Sequence, residues 1–352
     1  MVKSFFPPKC RMKRARGSTT NKVAHLGGET SFTQMAATAV FGQMLQFEPC
    51  ETIHSVFAKV KAGTVDAGVV PAESTTFGSF FSTLDEQLIH SMDVQICGEK
   101  MMQEKLALCS QINVSEINID CIIAHPHVLE CCSNYLELLD GRRAAAGKAK
   151  IERIPAMDST KACQMIAESV VHSAAISNKE TATRYGLVLL AEHVGNDMNG
   201  QTRYIILANK PRAAEVVKLL TSSGPRAALQ QQRSSLVFGT THQSGSIFRW
   251  SSCFALRNVN ILRVECRPAT TAMKMIGNPS QPFPLRHFEY ICFIDYEKPG
   301  EDTNSALISN LQEREFTQFL IELGTYTRDT QSQGAAAKAN PVWSEVAETF
   351  LH

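Results

Sequence analysis

The chain has 352 residues, of which 44% are hydrophobic and 20% are charged, a composition typical of a globular protein with two or three domains. Its formal net charge is +1, so the overall charge gives no indication of binding to nucleic acid or to an anionic membrane. No apolar stretch approaches the roughly 20 residues that a membrane-spanning helix needs.

The cysteine and histidine pattern indicates neither a disulfide framework nor a metal site. The 11 cysteines are scattered without a C-x-x-C pair, which predicts reduced thiols. His125 and His127 come nearest to a ligand pair, but Pro126 between them favours a loop, and we expect no metal. Residues 1–22 are rich in Lys and Arg and lack acidic residues, which predicts a basic extension or, alternatively, an organelle-targeting segment.

Short apolar strands alternate with helical patterns from Val23 to about Pro211. This rhythm predicts an α/β domain with largely parallel sheets. VAHL is the predicted first strand, and Thr30 or Ser31 is placed to cap the helix that follows. Thr52 is placed to cap the next helix, which Gly63 ends.

A smaller unit follows a polar stretch. The segment Glu215–Arg233 is rich in Ser, Gly, Pro and Gln and is typical of a linker. The strand and helix patterns after it come in the order βαββαβ, which predicts a ferredoxin-like sandwich with a long loop at Thr270–Arg286. We place the units at residues 1–22 (extension), 23–211 (larger domain), 212–232 (linker), 233–330 (smaller domain) and 331–352 (tail).

A polar pair stands at the start of an apolar run in NGQTRYIIL, residues 199–207. The run IIL predicts a short buried strand, and NGQ predicts a turn before it. Thr202 and Arg203 are therefore well placed to line a cleft, although a polar pair is also ordinary at the start of a strand. The local pattern alone favours the ordinary interpretation.

Six sequence motifs occur along the chain, and the fourth of them contains that pair. They are VAHLGGETSFTQMAA, AGVVPAESTTFGSFFSTLD, AHPHVLECCSNYL, AAISNKETATRYGLVLLAEHVGNDMNGQTRYIIL, RSSLVFGTTHQSGSIFRWSSCFALRNVNILRVECRP and LGTY. Their order resembles that of monofunctional prephenate dehydratase with a C-terminal ACT regulatory domain, over residues 23–326. The resemblance implies a two-lobed catalytic domain similar to type II periplasmic binding proteins, followed by a ferredoxin-like ACT domain. It implies that the chain crosses between the lobes near Phe80–Asp93 and near Glu192–Asn199.

The activity that the resemblance implies is conversion of prephenate to phenylpyruvate, with loss of CO2 and water, in L-phenylalanine biosynthesis. No cofactor is expected. Thr202 would donate a hydrogen bond to the leaving hydroxyl, and Arg203 would grip a carboxylate with a forked pair of hydrogen bonds. The residues expected to line the same cleft and bind substrate are Ser31, Thr33, Glu73, Ser74 and Thr75.

Some of these residues have structural alternatives. Ser31 and Thr33 also suit helix capping, and Glu73 also suits a structural hydrogen bond, because a free carboxylate would repel a dianion. His125 is expected to order a turn rather than to transfer a proton.

The smaller domain is expected to bind L-phenylalanine as an effector and to pair with its copy in a homodimer or tetramer. The matching positions are Gly245, Ser246, Ile247, Glu265, Cys266, Arg267 and Pro268. Ser244 and Cys266 depart from the family pattern, so a dimer-forming domain that no longer senses phenylalanine is the alternative.

Two other functions compete with this one. Arogenate dehydratase would use the same motifs on an amino-bearing substrate. A catalytically silent amino-acid-binding regulator is favoured by the departures at Gly28, Ala72 and Ser74, and is opposed by the intact Thr202-Arg203 pair. No secretory signal is visible, which disfavours a periplasmic receptor and predicts a cytoplasmic protein, with organelle targeting as the alternative.

Overall fold

A computed structural model describes residues 21–42, 45–168, 172–222, 231–269 and 289–329. The predicted loop at 270–286, the tail at 331–352 and nearly all of the basic extension lie outside these ranges. Within them, no helix is long and apolar enough to cross a membrane.

The strands are β1 (Lys22–Leu26), β2 (Gln46–Cys50), β3 (Ala67–Ser74), β4 (Gly78–Ser79), β5 (Val94–Gln103), β6 (Ala107–Ser110), β7 (Cys121–Ala124), β8 (Glu152–Pro155), β9 (Ser173–Ser177), β10 (Val188–Glu192), β11 (Gln201–Asn209), β12 (Gln232–Thr240), β13 (Ile261–Pro268), β14 (Tyr290–Glu297) and β15 (Thr317–Thr327). The α-helices are α1 (Phe32–Phe41), α2 (Ile53–Ala62), α3 (Phe81–Ile89), α4 (Pro126–Cys131), α5 (Ser133–Ala145), α6 (Ser159–Ala167), α7 (Lys179–Arg184), α8 (Ala213–Ser222), α9 (Ser246–Ala255) and α10 (Glu301–Leu311). Short 3-10 helices span Glu116–Asn118 and Lys210–Arg212.

The larger domain has two lobes, each built on one sheet. Lobe one has the strand order β2-β1-β3-β11-β5, with β4 paired to β3. Lobe two has the order β10-β6-β9-β7-β8. The strands β1, β2 and β3 are parallel, as are β7, β8 and β9, whereas β11 and β6 run antiparallel to their neighbours. The predicted two-lobed α/β architecture is confirmed.

The chain passes between the lobes through residues 104–106 and 193–200. The second crossing lies where it was predicted, but the first does not. The predicted segment Phe80–Asp93 instead forms α3, which stays in lobe one because Leu84 and Leu88 are buried in the core of that lobe.

Two predicted helix caps hold. Ser31 Oγ accepts a hydrogen bond from the backbone N–H of Gln34 at 3.3 Å, and Thr52 Oγ1 accepts one from that of Ser55 at 3.1 Å. Each satisfies an N–H that the first turn leaves without a partner. Gly63 ends α2 in the left-handed conformation, with φ of 67°.

The smaller domain is an antiparallel sheet of order β13-β14-β12-β15 with α9 and α10 packed together. This is the βαββαβ topology that the sequence predicts. Aromatic side chains of both layers form its core, with Phe238 and Tyr296 on strands and Trp250 and Phe254 on α9. Helix α8 occupies the first half of the predicted linker, because its Val216 packs into the core of lobe one.

The other face of the small sheet packs on lobe one. Val237, Phe293 and Leu323 share a buried cluster with the core residues of lobe one. At Gly324, a Cβ atom would lie 2.1 Å from the backbone oxygen of Ile96, so only glycine permits this approach of β15 to β5. The smaller domain and lobe one therefore share a continuous core.

Candidate active site

The carboxyl ends of the parallel strands of both lobes meet at one cleft. The loops that follow these ends are, in lobe one, those after β1 and β3 and, in lobe two, those after β7, β8 and β9. Both crossing segments leave lobe one at the same edge, beside the paired residues Gln103 and Gln201. Ligands of open α/β sheets bind at such an edge, so this cleft is the candidate site.

Strand alternation separates the predicted catalytic pair. Thr202 is paired with Ser74 across β11 and β3, and Arg203 is paired with Glu73. Successive side chains of a strand point to opposite faces of its sheet. Thr202 lies on the face that carries Tyr204, whereas Arg203 points to the smaller domain. The two side chains therefore do not line the same surface.

The hydroxyl of Thr202 is buried beside a carboxyl group. Thr202 is fully buried, and its Oγ1 forms no hydrogen bond of good geometry with any residue that the structure describes. Glu104, in the first crossing segment, accepts a hydrogen bond from Tyr204 Oη at 2.9 Å. Burial raises the pKa of Glu104, although the hydroxyls of Tyr204 and Thr202 partly oppose the rise. The Thr202 hydroxyl and a carboxyl whose pKa is raised thus lie together where β11 begins, beside the first crossing segment.

One end of the cleft is closed by the loop after β1. The carbonyl of Thr30 accepts hydrogen bonds from Asn178 Nδ2 at 3.1 Å and Thr181 Oγ1 at 2.9 Å, both in lobe two. Gly28 packs against Thr160, whose Cγ2 would lie 2.6 Å from a Cβ at that position. Any side chain at this position would crowd Thr160, so the departure from the family pattern at Gly28 fits the contact with lobe two.

The other end is closed by the loop after β3. Thr75 Oγ1 accepts a hydrogen bond from the backbone N–H of Gln201 at 3.0 Å, and Ser74 Oγ lies 2.8 Å from Thr76 Oγ1. Cys131 of lobe two donates to Thr76 Oγ1 at 3.3 Å. The predicted substrate-binding hydroxyls of Ser74 and Thr75 thus have structural partners at the edge of the cleft.

The remaining predicted residues near the cleft are helix residues. Ser31 caps α1 and donates to the carbonyl of Leu26 at 3.1 Å, and Thr33 is buried in the first turn of that helix. His125 caps α4, with Nδ1 accepting from the backbone N–H of His127 at 3.2 Å. The structural alternatives given for Ser31 and His125 are therefore present in the structure.

Arg203 does not fit the predicted carboxylate clamp. Its side chain is 2% exposed, and its guanidinium contacts Glu73 at 2.6 Å, Glu99 at 3.4 Å and Asp295 at 2.8 Å. Asp295 belongs to β14 of the smaller domain. All of these are carboxylates of the protein itself, so the guanidinium is already saturated. Glu73 also points this way, contacts Arg263 at 3.2 Å and does not face the Thr202 surface.

The group of charges around Arg203 is balanced. Arg203, Arg233 and Arg263 face Glu73, Glu99 and Asp295, while Tyr326 Oη accepts a hydrogen bond from Arg203 and Ser235 Oγ donates one to Asp295. Burial alone would raise the pKa of Asp295, but the guanidinium groups outweigh it and hold this pKa below its ordinary value. We call these six charged residues the interdomain charge network.

Comparison with known proteins agrees with this architecture. The sequence model of prephenate dehydratase matches residues 23–212. The chain belongs to the prephenate dehydratase family. The arogenate dehydratase/prephenate dehydratase 1 of Arabidopsis thaliana, a chloroplastic protein, is 29% identical over 88% of this chain and 72% of its own length. The bifunctional chorismate mutase/prephenate dehydratase of Aquifex aeolicus is 28% identical over 87% of this chain and 74% of its own length.

A solved structure extends the likeness to the whole fold. The prephenate dehydratase of Arthrobacter aurescens, solved in complex with L-Phe, superposes with a TM-score of 0.68 at 20% identity. The alignment covers 93% of this chain and 99% of that one. At this identity the likeness concerns the fold, including the position of the smaller domain after the prephenate dehydratase domain.

The predicted effector residues fall in two segments of the smaller domain. Gly245 has φ of 77° at the start of α9, where Ser246 is buried and Ile247 is exposed. On β13, Glu265 accepts from Ser79 Oγ at 2.8 Å, and Arg267 contacts Asp85. Cys266 is exposed, and Pro268 ends the strand. The β13 segment thus contacts lobe one directly.

The sequence interpretation missed Glu104, Asn178 and Asp295. Strand alternation could have assigned Thr202 and Arg203 to opposite faces, because the strand IIL was recognised. Asn178 follows a strand and precedes a helix, a recognisable cap position. Glu104 and Asp295 carried no local signal, since their roles depend on which distant strands they meet.

Proposed function

We propose that the chain converts prephenate to phenylpyruvate in the cleft between its lobes, with Thr202 as the catalytic hydrogen-bond donor. The observation that carries the proposal is the Thr202 hydroxyl, which is buried beside the Glu104 carboxyl where β11 meets the crossing segments. Its Oγ1 forms no hydrogen bond of good geometry within the described residues, so it can donate to a ligand without breaking one. Opening of the lobes would admit the substrate, and their closure would exclude water.

The reaction breaks two bonds of the substrate and forms an aromatic ring. The carbon–carbon bond to the ring carboxylate breaks, CO2 leaves, and the electron pair of that bond enters the ring. The ring carbon–oxygen bond breaks at the same time, and the hydroxyl takes up a proton and leaves as water. Thr202 donates a hydrogen bond that strengthens as negative charge develops on this oxygen. Glu104, whose pKa burial raises, supplies the proton and recovers it from solvent after product release.

Arg203 acts as a positioning residue in this proposal. Its contacts with Glu73 on β3 and Glu99 on β5 hold β11 between its two neighbours. The adjacent Thr202 is thereby held in one place. Precise placement of a donor matters because a misplacement of about 1 Å can lower a rate about 10²-fold. The substrate-binding roles of Ser31, Thr33, Ser74 and Thr75 remain part of the proposal, through hydroxyls and backbone N–H groups at the cleft edge.

Regulation by L-phenylalanine is the second part of the proposal. The support is the interdomain charge network, which connects β13 and β14 of the smaller domain to the strand of Thr202. A ligand that displaced β13 would disturb Arg263 and, through Glu73, Arg203. L-Phe is bound in the structurally similar Arthrobacter aurescens protein. We expect the smaller domains to pair in a homodimer or tetramer, and Ile247 and Phe248 of α9, 67% and 75% exposed, are available for such contacts.

Arogenate is the alternative substrate, because several plant relatives are named arogenate dehydratases. The cytoplasmic location stays a prediction, and organelle targeting stays its alternative, which the chloroplastic relatives support.

The decisive experiment for the substrate mixes the purified full chain separately with prephenate and with arogenate and measures phenylpyruvate and L-phenylalanine. Formation of phenylpyruvate from prephenate supports the proposal, preferred formation of phenylalanine from arogenate selects the alternative, and turnover of neither contradicts both.

A further inference from the structure

Three metal-binding side chains meet between two helices of lobe one, and none of them belongs to the candidate active site. His54 lies in the first turn of α2, Glu86 lies in α3, and His90 ends that helix. Nδ1 of His54 lies 3.1 Å from each carboxylate oxygen of Glu86, and Nε2 of His90 lies 3.1 Å from Oε2. One ligand atom from each residue falls within 4.8 Å of the others.

The spacing matches that of ligands around one small ion. In a tetrahedral zinc site with bonds of about 2.0–2.2 Å, neighbouring ligand atoms are about 3.3 Å apart. Hydrogen-bonded side chains show similar separations, so distance alone does not decide. The side chain of His90 is 8% exposed, and neither of its ring nitrogens forms a hydrogen bond of good geometry within the described part of the chain. Its Nε2 lies near Glu86, but the geometry is not that of a hydrogen bond. This arrangement is expected when the nitrogen and the carboxylate oxygen direct their lone pairs at one metal ion.

The three side chains stand on a rigid support. Helix α2 has a side-chain cap at Thr52 and an end at Gly63, and Leu84 and Leu88 anchor α3 in the core. The ring of Phe57 stacks on the ring of His90, with centroids 5.7 Å apart. A metal site is strongest when its ligands are held in place by such packing.

The charge of the surroundings suits a cation. Lys61, the nearby cation, is paired with Asp93 at 2.9 Å, which leaves the negative charge of Glu86 for the site. The side chain of His54 is 65% exposed, so solvent reaches the cluster on that side. A water molecule there would supply a fourth ligand.

We propose that His54, Glu86 and His90 form a transition-metal site, with Zn2+ as the expected ion. Two imidazoles and one carboxylate are a donor set that Zn2+ binds well. The bound ion would fasten α3 to α2. Helix α3 also carries Asp85, which contacts Arg267 of β13, so the ion would stabilise the part of lobe one that meets the smaller domain.

The sequence did not reveal this cluster because its ligands come from two helices. Glu86 and His90 are four residues apart and share one helix face, so these two of the three ligands could be recognised from the sequence. His54 lies 32 residues before Glu86 and joins them only because α2 packs on α3. The expectation of no metal rested on local Cys and His spacing and did not include such long-range clusters.

The test is calorimetric titration of Zn2+ into the untagged full chain after treatment with a chelator. We expect about one ion per chain, and an affinity at least roughly 10-fold weaker in His54→Ala, as expected when a site loses a ligand. His54 is largely exposed, so this variant keeps its fold. The matched control is His242→Ala, an exposed histidine of the smaller domain, which should bind Zn2+ like the wild type.

A second measurement uses Co2+ in place of Zn2+. The visible absorption of a four-coordinate Co2+ should appear in the wild type and be lost in Glu86→Gln, while the circular dichroism of that variant shows a folded chain. Absence of Zn2+ binding in the wild type would overturn the proposal. Equal affinity of the wild type and His54→Ala would overturn it as well, and the cluster would then be two histidines hydrogen-bonded to a carboxylate.

Discussion

The two faces of the β3–β11 pair carry different chemistry, although their residues are neighbours in sequence. One face presents Thr202 and Ser74, with hydroxyls and no charge, beside Glu104. The opposite face presents Arg203 and Glu73, which are tied to Asp295 of the smaller domain. A motif of adjacent residues therefore serves two surfaces, one suited to reaction in the cleft and the other to attachment of the smaller domain.

The difference in charge explains why the two faces respond differently to change. The Thr202 hydroxyl forms no hydrogen bond of good geometry within the described residues, so its removal should change the stability little and substrate turnover most. A buried ion has lost its hydration, and it is tolerated only while its partners are present. Variants of the Thr202 face should therefore alter mainly the rate, whereas variants of the Arg203 face should lower the stability and, where they displace Thr202, the rate as well.

The largest expected effect follows removal of a carboxylate from the interdomain charge network. Asp295→Ala leaves Arg203 with less opposing charge in a buried place, and we expect a loss of about 3–5 kcal/mol in the free energy of unfolding. Chemical denaturation measures it. Asp302→Ala, an exposed aspartate in the first turn of α10, is the matched control and should change stability little. Wild-type stability in Asp295→Ala would show that the network is not formed.

The next effect belongs to the other face. Thr202→Ala removes the proposed donor, and kcat for prephenate should fall about 10²-fold or more, with little change in the free energy of unfolding. Thr202→Ser keeps the hydroxyl and should recover much of the rate. The control Thr183→Ala removes an exposed threonine of α7. A wild-type kcat in Thr202→Ala would exclude Thr202 from its role.

A smaller effect is expected at Glu104. Glu104→Gln keeps a hydrogen-bond partner for Tyr204 but cannot donate a proton, and we expect kcat to fall about 10-fold, because water can partly replace this donor. The raised pKa keeps the wild-type carboxyl protonated to higher pH, so the rate should fall as the pH rises through that value. The variant should lack this fall. The same pH profile in both proteins would exclude Glu104 as the proton donor.

The smallest effect is a pH dependence of stability from Asp295. Its pKa is lowered in the folded chain from an ordinary value of 3.8, so the folded state binds this proton less tightly than the unfolded state. The stabilisation is present above the ordinary value and is lost as the pH falls through the lower, folded value. Urea denaturation at acidic pH should show this loss in the wild type. A parallel loss of the same size in Asp295→Asn would assign it to other carboxylates.

The sequence predicted much of the fold because local patterns decide it. The strand VAHL, the caps at Ser31 and Thr52, and the βαββαβ order of the smaller domain all follow from apolar period and capping chemistry. Helix α8 was missed because the Ser, Gly, Pro and Gln residues beyond it outweighed the apolar stripe of Val216.

The site was predicted less completely, because it depends on which strands become neighbours. The motif order assigns Thr202 and Ser74 to one site, and the structure pairs them across β11 and β3, but family resemblance does not say where a side chain points. Asp295 reaches Arg203 from 92 residues away, and only the packing of the smaller domain on lobe one brings them together. The ion pairs of Arg203 could therefore not be derived from the local sequence.

The central claim, that Arg203 serves the domain interface and not the substrate, is tested most directly with Arg203→Lys. Lysine keeps the charge but loses the forked geometry that serves three carboxylates. We predict a lower free energy of unfolding and an unchanged KM for prephenate. A KM raised about 10-fold or more, with wild-type stability, would contradict this prediction and indicate that Arg203 binds the substrate.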